Sequence, residues 1–145
     1  MYNVGAFFRT ADAVGLEILR MTGITACPPK KGISKTALGA EETVPWTYCT
    51  DAVAALQELR ARDTEIAVIE TTLHAVDLFD WQPRFPVCLI FGHEVEGVRP
   101  EIAQIADRHV RIPMLGAKHS LNVATAGGVV LYELLRKWRA LSAGR

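Results

Sequence analysis

The sequence predicts an α/β fold with a mostly parallel sheet flanked by helices. Three short apolar stretches, at 66–69, 87–91 and 110–112, are typical of buried strands, and helical stretches separate them along the chain. Strands that alternate with helices form βα units, whose strands pair in parallel. Ligands bind such sheets beyond the carboxyl ends of the strands, so the loops that follow these three strands are the expected location of a site.

Capping residues and apolar periodicity place the other elements. Asn3 is expected to cap a first helix that ends at Gly15, and Ser120 is expected to cap the last helix, which runs to about Leu141. Thr50 is expected to cap a helix between them. The remaining expected elements are a strand over 17–22, a loop over 24–44 with a short helix from Ser34, a loop over 81–86, and a short helix from Pro100 to about Asp107.

The composition is that of one domain with a core of its own, since half of the 145 residues are hydrophobic. No apolar run approaches the roughly 20 residues that cross a bilayer. Asp12 and Glu17 interrupt the apolar N-terminus, which argues against a signal peptide. The three cysteines are odd in number and the four histidines lack ligand spacing. We therefore expect a soluble, cytoplasmic protein without a membrane segment, a disulfide framework or a metal site.

Charge is distributed unevenly although the net charge is zero. Residues 1–40 carry a net charge of +3, residues 41–107 carry −9 and residues 108–145 carry +6. If the two ends of the chain meet, they form a basic face that could attract phosphates. Scattered, solvated charge is the alternative, and composition alone does not decide between the two.

The segment from Asn3 to Ala11 places a long cation, Arg9, on a helix among aromatic and small residues. A guanidinium in that position could grip a phosphate in a planar two-point contact. The alternative is a surface arginine whose stem stacks on Phe8.

The segment from Leu89 to Val98 contains two glycines, Gly92 and Gly97, in a turn directly after a buried strand. Glycine lets backbone approach a ligand closely. The glycine spacing is not that of the dinucleotide fingerprint, and Glu94 and Glu96 would repel a pyrophosphate. An ordinary strand-to-helix turn with solvated acids is the alternative.

The segment from Ile112 to Val123 leaves a strand, passes through a glycine-containing loop and enters the last helix. A cap at Ser120 needs no function, but the carboxamide of Asn122 is unusual in a first helical turn. The small residues that follow, Ala124 to Gly128, allow a second helix to pack very closely. They suit either a subunit interface or close packing within one chain.

Together, the three segments resemble the motifs of the SpoU (TrmH-type) branch of the SPOUT RNA methyltransferases, and the resemblance extends from Asn3 to about Lys137. The matching residues are Asn3, Gly5 and Arg9 for the first motif, Gly92, Glu94 and Gly97 for the second, and Ile112 to Met114 with Ser120 to Val123 for the third.

The resemblance implies an S-adenosylmethionine-dependent RNA 2′-O-ribose methyltransferase that acts on tRNA or rRNA as a homodimer. It also implies a deep trefoil knot in the C-terminal part of the sheet, with the active site near the subunit interface. The implied cofactor contacts are Thr71, Gly92, Ile112, Met114 and Leu121. The implied catalytic residues are Arg9, Asn3, Glu94, Ser120 and Asn122, with Arg9 as a phosphate clamp or a proton acceptor.

Residues 1–145 are expected to form a single domain of this type, which departs from the family at its start. Family members carry a strand before the asparagine motif, whereas Met1 lies two residues before Asn3, so that strand is expected to be missing or truncated. Without a separate RNA-binding domain, RNA is expected to bind the basic segments around Lys30, Lys31 and 136–139. Two alternatives remain open, namely a catalytically inactive RNA-binding relative and a flavodoxin-like or nucleotide-binding protein.

Overall fold

The computed structural model describes residues 2–70, 74–92 and 97–144. Helices and strands alternate along most of the chain. In order, they are α1 (Tyr2–Val14), β1 (Leu19–Thr22), α2 (Lys31–Ala37), α3 (Ala40–Thr43), β2 (Trp46–Cys49), α4 (Ala52–Ala61), β3 (Glu65–Ile69), β4 (Val76–Asp77), β5 (Val87–Phe91), α5 (Pro100–Ile105), β6 (Arg108–Arg111) and α6 (Val123–Ala143). No helix in the described ranges is both long and apolar enough to cross a membrane.

The first of two compact units combines residues 1–51 with residues 123–145. Helix α1 packs against α2, α3 and α6, and β1 pairs in parallel with β2. Phe8 and Ile33 are fully buried and anchor the core of this unit. Because α6 packs on α1, the two ends of the chain meet in this unit, which is the condition for a shared basic face.

Glycines set both the end of α1 and its distance from α2. Gly15 has a φ of +70° directly after α1, and the amide of Leu16 donates to the carbonyl of Ala11 at 2.9 Å, which closes the last turn. A Cβ at Gly5 would lie 2.6 Å from the carbonyl oxygen of Ile33 in α2. Position 5 therefore accepts only glycine at this helix spacing.

The second unit, residues 52–122, contains a four-stranded sheet in the order β4-β6-β3-β5. Its three strand pairs are all parallel. Leu56 of α4 and Ile102 of α5 join Ile66 of β3 in the core of this unit. The predicted mostly parallel α/β class is confirmed.

A buried carboxylate fixes the amino end of β3. Glu65 is 6% exposed, and its two carboxylate oxygens accept hydrogen bonds from the indole Nε1 of Trp81 at 3.0 Å and from the backbone amide of Arg84 at 2.7 Å. The loop over 81–86 is thereby tied to the sheet at the edge opposite to the predicted site.

Several predicted boundaries are confirmed and others are wrong. The strand over 87–91 and the end of α1 at Gly15 agree with the structure. Asn3 lies within α1 and does not precede it, so the predicted cap is wrong. The last helix begins at Val123, three residues after Ser120, so that cap is wrong as well. Strands β2 and β4 were not predicted.

Candidate functional site

The carboxyl ends of three neighbouring strands lie at one edge of the second unit's sheet. Ile69 of β3 is in register with Phe91 of β5 and with Val110 of β6. The segments that follow these strands, beginning at Glu70, Gly92 and Ile112, therefore leave the sheet at the same edge. This is the location that parallel strands favour for ligands.

The turn after β5 closes on its own backbone. A Cβ at Gly92 would lie 2.5 Å from the carbonyl carbon of Gly97 and 2.7 Å from the amide nitrogen of Val98. Gly97 itself has a φ of +70°, which favours glycine. The close approach of backbone at Gly92 and the positive φ of Gly97 explain why the turn needs both glycines. A contact between Gly92 and a cofactor stays a prediction.

The segment from Ile112 to Leu121 is irregular backbone that leaves β6 and reaches the start of α6. Ile112, Pro113 and Met114 are half-buried, while residues 115–121 are exposed, with Leu121 at 42%. Within the described ranges, no hydrogen bond joins this segment to another residue. Its first residues thus present half-buried apolar side chains together with open backbone donors and acceptors.

The residues before α6 are placed differently from expectation. Ser120 is exposed and does not begin the helix, whereas Asn122 immediately precedes the first helical residue, Val123. The position before the first helical residue is the one where an asparagine side chain suits a helix end. Asn122 therefore has a plausible local reason to be a carboxamide, besides its predicted catalytic role.

Two polar side chains of β6 have bonding partners near this edge and were not among the predicted site residues. His109 Nδ1 lies 2.8 Å from Glu70 Oε1, and the Nη1 of Arg111 donates to the carbonyl of Ala75 at 2.7 Å. These residues stand out only once the strand order is known, since polar residues are unusual in a short strand that is paired in parallel on both sides.

Arg9 and Asn3 belong to the first unit, where α1 carries them. Phe8 and Ala11 turn one face of α1 into the core, and Arg9 lies on the exposed face. The Arg9 guanidinium makes no hydrogen bond or ion pair with any residue that the structure describes. It does not act as a structural ion-pair partner there, and it is available to an external anion.

The small-residue stretch in α6 serves packing within the chain at one position. A Cβ at Gly127 would lie 2.4 Å from Cε1 of the Phe7 ring in α1, whereas a Cβ at Gly128 meets only open space. Between the two alternatives left open by the sequence, Gly127 supports close packing within one chain. Close packing among the described residues does not require a glycine at position 128.

Two predicted site residues, Thr71 and Glu94, lie outside the described residues. Of the others, Gly92, Ile112, Met114, Ser120, Leu121 and Asn122 belong to the second unit. Their roles stay predictions, and so does the trefoil knot. Among the described residues, no group of three or more His, Cys, Asp or Glu side chains is arranged to hold a metal ion.

Comparison with known proteins identifies relatives across nearly the whole chain. A 23S rRNA (guanosine-2'-O-)-methyltransferase RlmB from Bordetella pertussis is 34% identical over 140 residues, which is 94% of this chain and 55% of the relative. The protein of the same name from Ralstonia nicotianae is 37% identical over 94% of this chain and 54% of its own length. The chain thus spans about half the length of these relatives.

Solved structures of similar proteins share the fold. The A. aeolicus TrmH/SpoU tRNA modifying enzyme has a TM-score of 0.88 and 31% identity, over 97% of this chain and 71% of that one. The SpoU methyltransferase AviRb from Streptomyces viridochromogenes, in complex with AdoMet, has a TM-score of 0.85 and 27% identity, over 94% and 53% of the two chains. Residues 1–132 match the family model described as the SpoU rRNA Methylase family, and the chain therefore belongs to that family, as its three motifs predict.

Proposed function

We propose that this chain is the catalytic domain of an S-adenosylmethionine-dependent RNA 2′-O-ribose methyltransferase that acts on rRNA or tRNA in the cytoplasm. The observation that carries the proposal is the convergence of Gly92 and the 112–122 segment at one sheet edge, where family motifs meet the expected ligand position. The names of the relatives, 23S rRNA 2′-O-methyltransferases and a tRNA modifying enzyme, support the reaction and leave the RNA class open.

The residues at this edge fit the proposed cofactor. Half-buried Ile112 and Met114 offer apolar contact to an adenine ring, and the backbone of residues 112–121, which makes no hydrogen bond with the described part of the chain, offers donors and acceptors to its polar edge. Thr71, Gly92 and Leu121 complete the proposed contacts. S-adenosylmethionine supplies a sulfonium-bound methyl group that an oxygen nucleophile can accept.

The protein's main contribution is alignment of the ribose hydroxyl, and positioning of this kind can lower a barrier by several kcal/mol. Arg9 is exposed and unpaired among the described residues, which suits a two-point grip on an RNA phosphate. With the phosphate held, the guanidinium polarises the neighbouring 2′-hydroxyl. As the 2′-oxygen takes up the methyl group, the hydroxyl proton leaves to solvent. Asn3, Glu94, Ser120 and Asn122 are the other proposed catalytic residues.

RNA binding is assigned to basic side chains of the first unit. Lys30 and Lys31 are exposed at the start of α2, and Arg139 is exposed on α6. Lys137 is only 9% exposed, so it does not belong to this surface. Binding through such lysines and arginines weakens as salt is added.

The proposal includes a homodimer. Val129 and Tyr132 lie on the exposed side of α6 together with Thr125, and Tyr132 is 52% exposed. Exposed apolar side chains on one helix face are typical of an interface. Sedimentation equilibrium tests this point, because a dimer gives twice the mass of the chain and a monomer contradicts it.

Methyl transfer is tested directly with methyl-labelled S-adenosylmethionine and bulk rRNA or tRNA. We expect incorporation by the parent protein and a loss on the order of 100-fold in both Arg9→Ala and Arg9→Lys, because a lysine cannot make the planar two-point contact. Arg20→Ala is the matched control, since Arg20 is also an exposed arginine of the first unit. Full activity of Arg9→Lys contradicts the clamp, and RNA binding without any incorporation favours the inactive relative.

A further inference from the structure

The order of strands in the second unit brings the chain from one side of β6 to the other. Strand β4 follows β3 along the chain, yet in the sheet β6 lies between them. The chain therefore leaves β3 at Glu70 on one side of β6 and returns as β4 at Val76 on the other side. Glu70 lies at the same edge from which Ile112 leaves β6.

His109 and Arg111 of β6 contact the two residues at which the chain leaves β3 and returns to the sheet before β4. At its start, His109 Nδ1 contacts Glu70 Oε1 at 2.8 Å, and the Glu70 amide also donates to the carbonyl of Val110 at 2.9 Å. At its end, Arg111 donates from Nη1 to the carbonyl of Ala75 at 2.7 Å. Glu70 and His109 are both partly shielded from solvent, with side chains 28% and 36% exposed.

A polar side chain in a strand paired on both sides needs a reason, because apolar residues normally fill such strands. Within β6, Arg108 supplies a contrast, since its side chain is exposed and, among the described residues, its Nη1 contacts only the neighbouring carbonyl of Asp107 at 3.3 Å. His109 and Arg111 instead bind groups of a segment far away in sequence. The His109 contact binds the residue after β3, and the Arg111 contact ties the residue before the 112–122 segment to the start of β4.

We propose that His109 and Arg111 are positioning residues for the cofactor: His109 holds Glu70 at the edge where Ile112 leaves the sheet, and Arg111, the residue before Ile112, is held in place by the carbonyl of Ala75. The inference rests on the proposed function, since it concerns binding of S-adenosylmethionine at that edge. A site built from backbone groups binds tightly only if its segments are ordered before the ligand arrives, because ordering them afterwards costs affinity. Hydrogen bonds to charged side chains are directional enough to provide that order.

The test measures binding of S-adenosylhomocysteine by titration calorimetry. We expect the dissociation constant to rise about tenfold in Arg111→Met and in His109→Leu, each of which loses one hydrogen bond to a charged group. Arg108→Met is the matched control on the same strand, and its affinity should equal that of the parent. His109→Asn and Arg111→Lys keep a donor near the original atom and should recover most of the affinity.

Each outcome has a distinct meaning. Tight binding by the parent with unchanged affinity in His109→Leu and Arg111→Met overturns the inference and leaves the proposed function standing. An equal loss in Arg108→Met also overturns it, because the effect then belongs to the charge of β6 in general. No binding by the parent contradicts the proposed function and this inference with it. A purely structural role would lower the melting temperature while the folded protein keeps its affinity.

Discussion

The close spacing between α2 and α1, the helix that carries Arg9, can be tested by its effect on the free energy of unfolding. In Gly5→Ala, the new Cβ would lie 1.8 Å from Oγ1 of Thr36 and 2.6 Å from the carbonyl oxygen of Ile33. The Thr36 side chain could rotate, but the Ile33 contact is backbone, so α2 must move away from α1. Overpacking of this kind costs about 1–3 kcal/mol. A glycine-to-alanine change inside a helix by itself raises the free energy of unfolding by about 1 kcal/mol.

The expected net effect of Gly5→Ala is a loss of about 0–2 kcal/mol in the free energy of unfolding, toward the larger value because backbone is involved. Urea denaturation followed by circular dichroism measures it. Gly128→Ala is the matched control, since a Cβ there meets open space and should gain up to about 1 kcal/mol. Stability of Gly5→Ala equal to that of Gly128→Ala would refute the packing argument.

Three further changes test other parts of the structure. Trp81→Phe removes the indole donor from buried Glu65 and should lower the free energy of unfolding by about 1–3 kcal/mol in urea denaturation, whereas an unchanged value would contradict the buried hydrogen bond. Gly92→Ala places a Cβ against the backbone of its own turn and should weaken S-adenosylhomocysteine binding at least about tenfold in calorimetry; parent-like affinity would speak against it. A hydrogen bond from Arg136, aided by its charge, lowers the pKa of Glu133 below its ordinary value, so this carboxylate stabilises the fold above the unfolded-state pKa and stops doing so as pH falls through the lowered one. The melting temperature of Glu133→Gln should therefore lie below that of the parent at pH 7 and converge with it in acid, and a constant difference would argue against this linkage.

The parts of the fold that follow from local chemistry could be predicted from the sequence. The apolar run 87–91 and the glycine after α1 each carry a signal within a few residues, and both agree with the structure. The short strand β4 has only two residues, Val76 and Asp77, and it exists because it pairs with β6. No local sequence pattern predicts such a strand, because its stability comes from a partner strand more than 30 residues later.

The candidate site also has parts that could be predicted from the sequence and parts that could not. Gly92 and the Ile112 to Met114 stretch stand out as motifs, and the structure places both at one edge. The contacts of Glu70 with His109 and of Ala75 with Arg111 could not be predicted, because they depend on the order in which β4, β6 and β3 assemble. The wrong prediction of a helix cap at Ser120 shows that a local sequence signal can also mislead. A good capping residue was present, yet the chain stays irregular until Asn122.

The most direct test of the central claim is the chemical identity of the methylated nucleoside. After incubation of RNA with the parent protein and labelled S-adenosylmethionine, the RNA is digested to nucleosides and separated by liquid chromatography with mass detection. We expect label in 2′-O-methyl nucleosides, and in alkali-resistant dinucleotides before complete digestion, with about 100-fold less label in the Arg9→Ala reaction. Label on a base, or no label despite measurable cofactor binding, would contradict it.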